Sequence, residues 1–146
     1  TIEPPVTGEA RAAGVNHVDV VARLAREMSR PACILSAGET TVYVVGAGRG
    51  GRNQEFALAA AGPLAARFGH AVLGSVGTDG VDGPTDAAGA VVDVSTVARA
   101  RASGLGSTDR YLANNDSYTF FDALGDLVRL GPTETNVGDL QVVLVA

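Results

Sequence analysis

The 146-residue chain has no lysine, no tryptophan, one cysteine and one methionine. Each shortage closes a class of function. All eleven basic residues are arginine, so chemistry that needs a lysine amine must take it from another domain. Sixteen acidic residues outnumber them, giving a net charge of −5. That disfavours nucleic acid as a partner, because phosphate neutralisation needs a basic face. A single cysteine excludes a disulfide framework and a paired-cysteine zinc site. Cys33 lies in the apolar run ACIL, which reads as a small buried side chain in a reducing, cytoplasmic compartment. No apolar run reaches the ~20 residues of a bilayer span, so no membrane partner is expected. The opening TIEPPVTGEA has neither an initiating methionine nor a signal-peptide pattern. TIEPP reads as the tail of a strand entering a loop, and the chain as part of something longer.

What is present suffices for one domain with its own core, at 46% hydrophobic residues. Val18, Val21, Ala25 and Met28 recur at helical spacing and predict an amphipathic helix over roughly 8–29, ended by Pro31. ACILS (32–36) and TVYVV (41–45) are β-rich, and AGET between them is too short for a crossover, so the spacing predicts an antiparallel hairpin. Phe56, Ala60, Leu64 and Phe68 form one helical stripe from an N-cap at Asn53, with Gly62-Pro63 expected to kink or divide it. HAVLGSVG (70–77) reads as a strand covered on both faces. AVVDV (90–94) follows as a strand, then a helix capped by Ser95 and stopped by Gly104, and a short helix near 107–113. Asp116 caps a helix over SYTFFDAL, and the chain closes with LVRL, a loop and the strand LQVVLV. Together these predict a layered α/β/α domain with a mixed, mostly buried sheet that includes the hairpin.

VVGAGRGGRNQE contains G-x-G-x-x-G at Gly46, Gly48 and Gly51. A dinucleotide-binding turn requires the first strand of a βαβ unit, small apolar residues after the last glycine, and an acidic residue ~20 positions on. Here a hairpin arm precedes the turn, and Arg52, Asn53, Gln54 and Glu55 follow it. An anion site fits better. In that reading Gly48, Gly50 and Gly51 present backbone N–H groups, the helix start at Asn53 adds partial positive charge, and Arg49 and Arg52 add planar donor forks.

GTDGVDGPTDAAG places Asp79, Asp82, Thr85 and Asp86 at the carboxyl end of a buried strand, where α/β domains collect ligands. The carboxylates read either as Mg²⁺ or substrate ligands, or as turn formers. Thr133, Thr135 and Asn136 in GPTETNVGDL offer neutral donors and acceptors under the same two readings. Asn114, Asn115 and Asp116 read as capping residues or as part of a polar site. His17, His70, Ser36 and Ser75 form no nucleophile motif.

The blocks GETTVYVVGAGRGGRNQEFALA, GTDGVDGPTDAAGAVVD, NNDSYTFFDALGDL and GPTETNVGDLQVVLV, in this order over 32–146, resemble the C-terminal MOFRL domain of the class II glycerate 2-kinases. That family often carries the label hydroxypyruvate reductase. The resemblance implies ATP- and Mg²⁺-dependent phosphorylation of the 2-hydroxyl of D-glycerate in a cleft between two domains. Residues 1–31 then lead in from an absent N-terminal domain that carries a catalytic lysine. The family's active-site arginine falls on Arg52, and the loop bearing Asp79, Asp82, Thr85 and Asp86 borders the same cleft. Ser36-Ala37 and Glu134 stand where glycines are common in the family. Two alternatives follow: an NAD(P)-dependent hydroxypyruvate reductase, or a non-catalytic anion-binding module. Loss of the partner domain also predicts self-association through the surface it covered.

Overall fold

The structure, a computed structural model, describes residues 4–146. Residues 1–3 of the expected strand tail lie outside the described residues, and the strand itself, β1, spans Val6–Glu9. Helix α1 follows over Ala10–Leu24, with the Glu9 side chain accepting from the Ala12 N–H at its start. Val18, Val21 and Ala25 are buried as their spacing predicts, whereas Met28 lies beyond the helix and is exposed.

Strand β2 runs unbroken over Ala32–Thr41, so the predicted hairpin is not formed. The AGET segment stays extended instead of turning, and Gly38 within it has no room for a Cβ, which would strike the backbone of Val6. Its role is close approach of two strands: β1 pairs in parallel with Gly38–Thr41, while Ala32–Gly38 pairs antiparallel with the last strand. Residues 42–45 leave the sheet as irregular chain.

Helix α2 spans Arg52–Arg67 and continues through Pro63 without dividing. Asn53–Ala61 and Leu64 are buried, so packing on every side holds the helix together. Then come β3 (Ala71–Gly77), β4 (Gly89–Asp93), α3 (Thr96–Ala102), α4 (Thr108–Ala113), α5 (Ser117–Leu124), β5 (Leu127–Val128) and β6 (Asp139–Val145). Gly104 and Gly125 carry the positive φ of helix stops, as expected.

The six strands form one mixed sheet in the order β1-β2-β6-β3-β4-β5, antiparallel except for β1 and β2. The helices gather around α2, which packs against α1, α3, α4, α5 and strands β3 and β4. Phe56, Phe120, Phe121, Leu58, Leu64 and Leu73 fill the space between. The α/β class and mixed sheet are therefore as expected, but the second helical layer is absent among the described residues. Burial alternates along β2, β3 and β6, which marks strands covered on one face. The run 70–77 is thus not covered on both faces, and Cys33 is exposed because its parity puts it on the bare face.

At one end of the sheet, Gly38 of β2 pairs with Asp139 of β6, and Asp139 with Gly77 of β3. The N-terminus of α2 meets this same end, and the site is built there.

Candidate active site

The first turn of α2 carries N–H groups with no partner inside the helix. Gly51 is the N-cap and offers no side chain, so the expected cap at Asn53 is displaced by two positions. The acceptor comes from the aspartate-rich loop instead. Asp82 takes the Asn53 N–H at 3.0 Å on Oδ1 and the Gln54 N–H at 2.9 Å on Oδ2. The Gln54 amide donates to Thr85 Oγ1 at 3.0 Å, which fastens the same loop. Asp82 is only 2% exposed, and burial pushes its carboxyl up while the two backbone bonds pull it down. The helix N-terminus expected to receive an external anion is thus already occupied by an internal one.

Arg52 stands on the first residue of α2. Its Nε donates to both oxygens of Asp139, at 3.0 and 2.8 Å. Asp139 is 1% exposed and also accepts from the Asn53 amide at 2.9 Å. The Asn53 carbonyl in turn takes the Ser75 hydroxyl at 2.7 Å. The bond to Asp139 raises the Arg52 pKa further above its ordinary range. With Nε engaged, the two terminal nitrogens are left for other partners. One of them, Nη2, lies 3.7 Å from Glu39, a loose contact to an exposed side chain.

The glycine loop is strapped down rather than open. Asn115 Oδ1 accepts the N–H groups of Val45 and Gly46 at 2.8 and 2.9 Å. Asn114 takes those of Ala47, through its side chain at 3.2 Å, and Gly48, through its carbonyl at 2.8 Å. Asp116 takes the Arg49 N–H at 3.1 Å. Asn115 also donates to the buried Glu55 at 3.1 Å, whose other oxygen pairs with Arg11 at 2.6 Å. Gly46, Gly48, Gly50 and Gly51 are not among the glycines with positive φ. A Cβ at any of them would collide with Asn114, Asp116, Ser117 or Asp82. These glycines serve close packing, a constraint that the repeat of glycines signals without naming the partner.

Gly50, Gly51 and Arg52 keep backbone N–H groups with no acceptor among the described residues. With Glu39, Gly48, Glu55, Pro84 and Asn115 they line a cleft of about 500 Å³. A larger hollow of about 560 Å³ lies at the opposite end of the sheet, lined by Cys33, Val72 and Leu144. It holds none of the groups just described. The chemistry belongs to the first cleft.

Not every candidate residue joins it. Arg49 turns outward, its guanidinium 4.1 Å above the Tyr118 ring. Asp86 belongs to that outer group too, accepting from Tyr118 at 2.7 Å and pairing with Arg129 at 3.2 Å, contacts that hold its pKa down. Asp79 closes its own turn onto the Val81 N–H at 3.0 Å. Thr133 ties its loop to the Thr78 carbonyl, and Asn136 accepts from the Gly138 N–H at 3.2 Å. The three loop carboxylates diverge, and no cluster of three His, Cys, Asp or Glu side chains forms among the described residues.

A model of the MOFRL family matches residues 32–139. The chain belongs to the MOFRL family. It is 50% identical over 120 residues to the D-glycerate 2-kinase of Thermotoga maritima, covering 82% of this chain and 28% of that protein. It is 46% identical over 121 residues to a protein of Agrobacterium vitis named as a putative hydroxypyruvate reductase, covering 81% and 27%. The crystal structure of glycerate kinase from Thermotoga maritima superposes with a TM-score of 0.88 at 45% identity, covering 97% of this chain and 34% of that one. The chain thus spans about a third or less of the length of these relatives.

Two departures of this MOFRL sequence gain a physical account. Glu134 has φ of 59°, in the left-handed region where glycine is favoured. Ser36 is buried and uses its hydroxyl, donating to Gln141 at 3.2 Å with the His17 ring 3.4 Å away.

Proposed function

We propose that this chain forms one wall of the active site of a glycerate 2-kinase, which transfers the γ-phosphoryl group of ATP to the 2-hydroxyl of D-glycerate. The rest of the enzyme, an N-terminal domain with the lysine this chain lacks, supplies the other wall. The observation that carries the reading is Arg52. Its guanidinium is anchored on one side by Asp139 and open on the other, beside three unpartnered backbone N–H groups at the same helix start. Phosphoryl transfer asks a protein mainly to position its reactants and to place positive charge where negative charge develops. The open edge of Arg52 does this for the glycerate carboxylate or for the phosphoryl group in flight.

The reductase reading needs glycine-loop N–H groups and a helix N-terminus for a pyrophosphate. Here Asn114, Asn115 and Asp116 take the N–H groups of the Gly46–Arg49 turn, and Asp82 takes those of Asn53 and Gln54. Only the short stretch Gly50–Arg52 is left open, enough for one anionic group and not for a pyrophosphate cradled by the whole turn. Titration with nicotinamide cofactor is therefore expected to show no binding at millimolar concentration. In the complete enzyme, Arg52→Ala is expected to lower kcat/KM by on the order of 10²-fold or more with the fold retained. Near-normal turnover by a folded variant would sink the assignment.

A further inference from the structure

We propose that Glu39 is the proton acceptor for the substrate hydroxyl, an inference that rests on the kinase reading above. Two carboxylates line the cleft, Glu39 and Glu55, with Asp82 and Asp139 buried behind it, and all but Glu39 are spent. Asp82 caps α2 with both oxygens. Asp139 holds Arg52 and Asn53. Glu55 is buried and divided between Arg11 and Asn115. Glu39 alone lines the cleft without a hydrogen-bond partner among the described residues, its side chain 70% exposed. Neither histidine competes: His17 is buried near Ser36, and His70 lies at the far end of the sheet.

Position supports the role. Glu39 stands 3.7 Å from the open edge of Arg52. In glycerate the carboxylate and the 2-hydroxyl are on adjacent carbons. A substrate carboxylate on Arg52 therefore brings the hydroxyl within reach of a group beside that arginine. The charged group beside Glu39 is Arg52 of α2, backed by Asp139 of β6, and Glu55 of α2 lines the same cleft with Arg11 of α1 paired to it. Arg52 spends its Nε on Asp139 and makes only the loose 3.7 Å contact with Glu39, which leaves the Glu39 oxygens available. In the transfer step the hydroxyl oxygen forms the new O–P bond as its O–H bond breaks. The bridging O–P bond of ATP breaks with its electrons leaving on ADP, and the proton goes to the Glu39 carboxylate.

The test uses the full-length enzyme, with 2-phosphoglycerate identified directly by mass spectrometry. General-base assistance typically contributes ~10²-fold or more. Glu39→Gln is therefore expected to lower kcat by about 10²-fold with KM within about threefold, and to abolish the acidic limb of the kcat–pH profile. Glu39→Asp should recover part of the rate and restore that limb. Because Glu39 is exposed, both variants are expected to keep the parent melting temperature. If the parent makes 2-phosphoglycerate and Glu39→Gln turns over at the parent rate, or keeps the acidic limb, the inference falls while the kinase reading stands. If the parent makes no 2-phosphoglycerate from ATP and glycerate, the kinase reading itself falls.

Discussion

Arg52 can serve a phosphoryl-transfer site only if its charge stays where negative charge gathers, and the buried carboxylate of Asp139 is what keeps it there. Truncating Asp139 leaves the Asn53 amide short of an acceptor and frees the guanidinium to swing toward solvent or Glu39. Loss of an acceptor from buried donors costs about 1–3 kcal/mol. Asp139→Ala should destabilise the chain by that amount in denaturant titrations. In the complete enzyme it should also cost about tenfold or more in kcat/KM, since a misplaced charge loses most of its effect on the transition state. A second residue-scale consequence concerns pH. Burial lowers the His17 pKa from 6.5 to about 4, so the folded state keeps the ring neutral. Between those values the unfolded chain binds a proton that the folded chain refuses, so stability is lost as pH falls through that window. From pH 7 to 4.5 the loss from this one group is about 2 kcal/mol. Urea unfolding at the two pH values, on the parent and on His17→Gln, measures it as the difference in slope.

At the scale of elements, α2 is held at its start by a loop 28 residues away in sequence. Asp82→Ala removes the acceptor of two buried N–H groups at once, and a lost cap alone costs about 1 kcal/mol. With the desolvated donors the total should reach about 2–4 kcal/mol. Asp82→Asn, which retains one carbonyl acceptor, should lose less. Thermal unfolding of the two variants checks the order; equal losses would mean the contact is not a cap. The same elements show what the sequence makes legible. Two of the helices after β4 are readable because a glycine stops them, α3 at Gly104 and α5 at Gly125, whereas α4 ends on Asn114. The hairpin expectation fails because a four-residue spacing between two β-rich runs looks the same in one dimension whether the chain turns or runs straight on, and Gly38 is there to let β1 approach. Arg52 was legible from its own neighbourhood. Its anchor Asp139 lies 87 residues on, and Asn115 lies 60 from the Glu55 it joins. No local pattern links such partners. A preference for glycine records that something comes close, not what.

For the whole molecule, the uncovered sheet face is the feature that one domain leaves unsatisfied. Cys33, Leu144 and Val72 are direct neighbours across β2, β6 and β3, and Leu35, Val142 and Gly74 form the next row. Leu35, Val72 and Leu144 are 42%, 39% and 51% exposed. Exposed apolar residues scattered singly are ordinary, but adjacent rows on a flat sheet are a contact surface. Across β2, β6 and β3 these rows carry only apolar and small side chains, and Asp93, which continues the first row on β4, is already bonded to Ser95. A second copy seated on the three central strands therefore leaves no charge stranded. The isolated chain is therefore expected to self-associate as its concentration rises, through burial of apolar area at roughly 25 cal/mol per Å². Light scattering after size exclusion measures this directly. Leu144→Glu places a charge in the middle of the first row and should return the chain to a monomer. Its melting temperature should change little, because the side chain is half exposed and on the face away from the helices. The cleft lies at the other end of the sheet and gives the variant an internal control. Anion binding at Arg52 should survive a substitution that abolishes association. A strictly monomeric parent at high concentration would show that the bare face is tolerated in water as it stands.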